Sequence, residues 1–113
     1  MAEELEELLQ QIQFQNHQLQ MLMVQKQNLV IQSKEIEKAL EEVRKSDNED
    51  VYKSVGPILV RSKKDDLVKD LEEGMEEAQL KIKALETQEK RLKEKIKSFQ
   101  EKFQEMMPKG QGG

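Results

Sequence analysis

His17 is the only histidine of this chain, and there is no cysteine. It stands between Asn16 and Gln18 with no second candidate ligand nearby, so it reads as solvated surface and not as a metal ligand. No G-x-x-x-x-G-K-[ST] or G-x-G-x-x-G run is present, nor a Ser/His/Asp or Cys/His set from which a nucleophile could be built. No catalytic residue, cofactor or metal is therefore expected, and any use of nucleotide would have to come from a partner. The basic run KRLKEKIK (90–97) is interleaved with glutamate, which makes it a solvated helix face before a nucleic-acid site. What remains is the chemistry of apolar contact. Its most conspicuous carrier is VYKSVGPILVR (51–61), a β-branched stretch in the middle of a charged chain.

The composition limits what can surround that stretch. Only 35% of the residues are hydrophobic and 4% aromatic, while 37% are charged. This is too little apolar material for a thick globular core, but it suits long helices that bury a narrow seam. A net charge of −4 gives no general attraction to nucleic acid or to anionic membranes. The opening MAEELEELLQ lacks the basic and apolar regions of a signal peptide, and no apolar run approaches a membrane span. A cytoplasmic location is expected, in keeping with the absence of cysteine.

Two heptad series flank the central stretch. With Leu5 at position a, the first series runs Leu5, Leu8, Ile12, Gln15, Leu19, Leu22, Lys26, Leu29, Ser33, Ile36, Leu40 and Val43, polar only at Gln15, Lys26 and Ser33. The second runs Val68, Leu71, Met75, Ala78, Ile82, Leu85, Glu89, Leu92, Ile96, Phe99, Phe103 and Met106, interrupted only by Glu89. Helices of such similar length joined by a short insert predict an antiparallel hairpin, with Val43 near Val68, Ile36 near Met75, Leu19 near Leu92 and Leu8 near Phe103. That register puts Lys26 about a turn from Glu89. The two seam charges can pair, or each can reach water separately. The expected segments are 1–46 and 65–107 for the helices, 47–64 for the insert, and 108–113 for a disordered tail after Pro108, all in one domain with an arm roughly 60 Å long. Arg44 and Lys45 suit the end of the first helix. Ser62-Lys63-Lys64-Asp65 matches a capping box at the start of the second. Gly74, unhelpful inside a helix, marks a close neighbour or nothing.

The insert reads as two strands, Val51–Val55 and Ile58–Arg61, joined by a Gly56-Pro57 turn. Val51, Lys53, Val55, Ile58 and Val60 share one face; Tyr52, Ser54, Leu59 and Arg61 share the other. Both faces carry apolar groups and both edges are open, so a lone hairpin would be sticky. Pairing of several copies into a barrel removes the edges.

These residues resemble a family. Two equal heptad helices joined by a segment with the run DVYKSVG (50–56) look like the β-type subunit of prefoldin, of the archaeal-like kind, over nearly the whole chain to about residue 107. The insert has room for one hairpin, as in β-type chains, where α-type chains carry two. The resemblance implies a mainly α fold: a long antiparallel two-helix coiled coil whose central β-hairpin joins an inter-subunit β-barrel. It implies an ATP-independent molecular chaperone, a holdase, built as a hexamer of two α-type and four β-type subunits. Non-native polypeptides would be captured at the coiled-coil tips and passed to a group II chaperonin. The subunit interface would be made by Val51, Tyr52, Val55, Ile58, Leu59 and Val60. The other reading of the same residues is a structural coiled-coil protein whose hairpin drives homo-oligomeric or filament assembly.

Client contact is expected near the chain termini, where seam residues are only partly covered: Leu5, Leu8, Leu9 and Ile12 on the first helix, and Phe99, Phe103, Met106 and Met107 on the second. Methionine adapts its shape to varied partners. Independently of the resemblance, Phe14, Met21, Val24 and Ile31 occupy c and f positions opposite the seam, where an isolated coiled coil should be polar. Phe14 and Met21 are assigned to client contact, and Val24 and Ile31 to packing on a neighbouring subunit.

Overall fold

The structure is a computed structural model and describes residues 2–107. The expected tail from Pro108 onward lies outside the described residues. In chain order the elements are helix α1 (Ala2–Lys45), strand β1 (Asp50–Val55), strand β2 (Ile58–Lys63) and helix α2 (Lys64–Met106). Packing groups the described residues into two units, one of 2–26 with 84–107 and one of 27–83. They are called here the terminal unit and the hairpin unit.

Both units follow the heptad. In the terminal unit Ile12, Gln15 and Ile96 are buried, and the remaining a and d side chains, from Leu5 to Lys26 and from Leu85 to Met106, are half-buried. In the hairpin unit Leu40 and Ala78 are buried, and the other a and d residues are again half-buried. A two-helix seam can do no better, because each apolar side chain has a partner helix on one side only. Three of the four polar seam residues, Ser33, Lys26 and Glu89, find partners within it. Ser33 donates its hydroxyl to the Met75 thioether at 3.1 Å. The Lys26 ammonium donates to both carboxylate oxygens of Glu89, at 3.1 and 3.4 Å.

The hairpin is longer than the sequence suggests. Asp50 pairs with Lys63, Val51 with Ser62, Tyr52 with Arg61, Lys53 with Val60, Ser54 with Leu59 and Val55 with Ile58. Gly56 takes a φ of +56° at the first central position of the turn, the sign a type II′ turn requires there, and Pro57 supplies the negative φ of the second. The extra rungs have a cause in the sequence: Lys63 and Asp50 face each other across the strands, with Nζ 3.0 Å from Oδ1.

This extension overturns the expected capping box. Ser62 lies inside β2, and its hydroxyl donates to the Lys63 carbonyl instead of accepting from the first turn of α2. The junction is tied by Lys64. Its backbone N–H donates to the Glu49 carbonyl at 2.7 Å. Its ammonium donates to the carbonyls of Arg44 and Ser46, at 3.1 and 2.6 Å, where α1 ends. A cation on these exposed C-terminal carbonyls is favourable on both hydrogen-bonding and dipole grounds. Leu67, outside the a/d series, is buried beside this junction in sequence.

Gly74 has a neighbour. A Cβ built there would lie 3.7 Å from the Ile36 Cδ1 atom, an ordinary van der Waals contact. The glycine costs helix propensity without steric need, so Gly74→Ala is expected to stabilise the chain by about 0.5–1 kcal/mol. Urea denaturation followed by circular dichroism checks this, and an unchanged or lower midpoint would count against it.

Candidate functional site

Two clusters of exposed apolar side chains stand out; outside them Ile31 of α1 and Leu80 of α2 are exposed singly. The first is the hairpin. Tyr52, Val55, Ile58, Leu59 and Val60 are all exposed, Leu59 most of all at 72%, while Val51 is half-buried at the root opposite Ser62. Alternation along the strands puts Val55, Ile58 and Val60 on one face and Tyr52 and Leu59 on the other. Lys53, on the first of these faces, lies with its Nζ 3.8 Å from Asp70 of α2. Apart from that tie, most of both faces and both outer edges remain open to another chain.

The second group lies in the terminal unit. Phe14 and Met21 are more than half exposed, with Val24, Met23 and Leu9 beside them in sequence on α1. Leu5, Leu8, Phe99, Phe103 and Met106 are half-buried in the seam, and Met107 is exposed. Ile12 is different: it is 8% exposed, so within this chain it has almost no surface to offer a partner and serves the seam. Ile31, in the hairpin unit, is exposed. These outer apolar residues are why α1 is only weakly amphipathic while α2 is strongly so.

The terminal unit also contains a groove that heptad reading alone does not reveal. It has a volume of about 490 Å³ and is lined by Phe14, Gln15, Gln18 and Leu22 of α1 and by Gln88, Arg91, Leu92 and Lys95 of α2. Leu22 and Leu92 are half-buried seam residues, so its apolar part continues the core outward. A second depression of about 500 Å³ shares Phe14 and is bounded by Glu7, Gln10 and Gln11. Phe14 therefore takes part in both. The only signal in the sequence was Phe14 itself. Its α2 neighbours depend on the register between segments far apart in the chain.

No group of acidic, histidine or cysteine side chains suited to hold a metal occurs among the described residues, and no helix among them is long and apolar enough to cross a membrane. The surfaces on offer are apolar, and two elements present them: a hairpin with open edges and a pair of heptad helices. That architecture has close relatives of known family. A prefoldin subunit family model matches residues 6–110. The chain belongs to the prefoldin family. The prefoldin subunit beta of Archaeoglobus fulgidus is 38% identical over 105 residues, spanning 92% of this chain and 90% of that protein. The subunit beta of Thermococcus onnurineus is 38% identical over 98 residues, spanning 86% and 84%. A crystal structure of the prefoldin beta subunit from Thermococcus strain KS-1 superposes with a TM-score of 0.84 at 34% identity, over 93% of this chain and 95% of that one. The resemblance to β-type prefoldin subunits is thus shown along the chain, one hairpin included. Prefoldins act as chaperones, a family without known enzymes, and their β-type subunits assemble with other prefoldin subunits.

Proposed function

We propose that this chain is a subunit of an ATP-independent holdase that works in the cytoplasm. In this reading the hairpin assembles with α-type subunits and other β-type copies into a hexamer of two α-type and four β-type chains. The terminal unit holds non-native polypeptides and releases them to a group II chaperonin. The observation that carries this reading is the gathering of most exposed apolar side chains into two sets, with only Ile31 and Leu80 apart. The hairpin set sits on strands with open edges, which suits permanent pairing. The terminal set is Phe14, Leu9, Val24, methionines and partly covered seam residues among amides, which suits weak and varied contact. Buried apolar area is worth about 25 cal/mol per Å², so a few such contacts on one chain bind weakly. Several chains engaging one client together supply the affinity through effective concentration.

Suppression of aggregation tests the proposal. The chain mixed with an α-type prefoldin subunit is expected to slow the aggregation of a chemically unfolded protein without nucleotide, as followed by light scattering. Phe14→Ser combined with Met21→Ser removes two exposed apolar groups that support no seam. It is expected to lower client affinity by about tenfold and to leave the mass of the complex unchanged. Full protection by the double variant would remove these residues from the client surface. No protection by the native pair would overturn the holdase reading.

A further inference from the structure

The groove of the terminal unit has a charge character of its own. On the α1 side, residues 8–25 contain no Asp, Glu, Lys or Arg, although more than a third of the chain is charged. On the α2 side the two charged groups lining it are Arg91 and Lys95, and no carboxylate lines it. Arg91 has no ion-pair partner among the described residues. Lys95 has its ammonium 5.9 Å from the centre of the Phe99 ring, a contact that leaves its hydrogen-bond donors available. Glu94, beside Lys95 in sequence, is exposed and does not line the groove or pair with either cation, and Glu7 lines the separate depression that shares Phe14. A groove lined by Leu22 and Leu92, by Phe14 and the Gln18 amide, and by two cations without an ion-pair partner among the described residues is a polarised site on a chain whose net charge is −4.

We infer that this groove selects, among unfolded polypeptides, extended segments in which a carboxylate stands next to an apolar side chain. The apolar side chain lies against Phe14 and Leu92, and the carboxylate accepts hydrogen bonds from Arg91 and Lys95. Glutamine amides on the walls can serve the backbone of an extended segment, which has unpaired donors and acceptors to satisfy. The arginine fork is suited to a carboxylate and is less heavily hydrated than an ammonium, so it is the larger contributor of the two. Both cations are exposed, so the selectivity is moderate and sensitive to salt. The inference rests on the proposal that the terminal unit captures clients, and it adds a chemical class of preferred segment.

The test uses the full chain assembled with an α-type subunit and two fluorescent peptides of identical apolar sequence, one with glutamate and one with lysine beside a central phenylalanine. Anisotropy at low salt is expected to give about three- to tenfold tighter binding of the glutamate peptide. That preference should shrink at 0.5 M salt. It should disappear in R91Q/K95Q and reverse in R91E/K95E, with helical content unchanged. Equal binding of the two peptides by the native complex, or a preference unaffected by R91Q/K95Q, would overturn the charge selection while leaving client capture in place. Failure of both peptides to bind, in a complex that also fails to slow aggregation, would overturn client capture and this inference together.

Discussion

Ile58→Asp combined with Leu59→Asp is expected to leave the chain folded and to abolish its assembly. The two side chains are 57% and 72% exposed, and the pairing register points them to opposite faces of the hairpin. Neither supports the seam, so the cost to folding of the single chain is small, within about 0.5 kcal/mol for each substitution. In an assembled barrel both edges are paired and one face is turned inward, so one of the two side chains is buried whichever face that is. That side chain would contribute about 1.5–3 kcal/mol by burial, and the carboxylate in its place would have to be desolvated. Summed over the β-type copies of one complex, the change in assembly equilibrium exceeds about a thousandfold. Light scattering on a mixture with an α-type subunit reads the outcome, with circular dichroism reporting retained helix. A complex of unchanged mass would show that the hairpin is not the assembly element. A native chain that forms a defined homo-oligomer and ignores the α-type partner would favour the scaffold reading.

The seam was legible in the sequence because a heptad is a local property. Each of the a and d positions named from the repeat is buried or half-buried, including the polar ones. The hairpin was legible for the same reason: Gly56-Pro57 between β-branched runs admits one turn, and the turn fixes the register. The junctions were less so. Ser62-Lys63-Lys64-Asp65 satisfies the form of a capping box, yet Ser62 and Lys63 also continue a strand. Pairing of Asp50 with Lys63 and of the Glu49 carbonyl with the Lys64 N–H favours the strand. Local pattern had no means of weighing a partner some fifteen residues away. Leu67 lies outside the repeat, so the heptad gives no sign that it is buried.

The groove shows a second kind of limit. The sequence marks Phe14 as out of place on a polar face, but within KRLKEKIK Arg91 and Lys95 look like ordinary solvated charges. Each reading is sound for its own helix. That the three residues line one groove follows only from how the terminal segments of α1 and α2 lie against each other. Pairing by heptad gives which seam residues are near one another to within a turn. It does not give which flanking residues share a wall.

The Lys26–Glu89 pair bears on that same register, and its removal should be costly in one direction only. The Nζ–Oε2 distance is 3.1 Å, and the side chains are 27% and 13% exposed. Glu89 also has the Lys93 ammonium 3.9 Å from its Oε1, one turn along α2. Glu89→Ala leaves Lys26 half-buried at an a position with no acceptor, and a destabilisation of about 1–3 kcal/mol is expected. Lys26→Ala costs less, because Glu89 keeps Lys93. Replacing both partners by leucine restores an unbroken apolar seam, and the double variant is expected to be as stable as the native chain or more so. Its penalty would be in specificity. With the paired charges gone, a shifted alignment of the terminal segments no longer strands a lysine opposite leucine, so competing registers come closer in energy. Urea denaturation of the single and double variants gives the coupling energy. Crosslinking between cysteines placed at residues 19 and 92 reports whether one register persists. Additive single losses would mean that the two charges act independently in the seam. A double variant with one sharp crosslinking pattern would mean that shape alone, through remaining seam residues such as Ile12 and Ile96, holds the terminal unit in register.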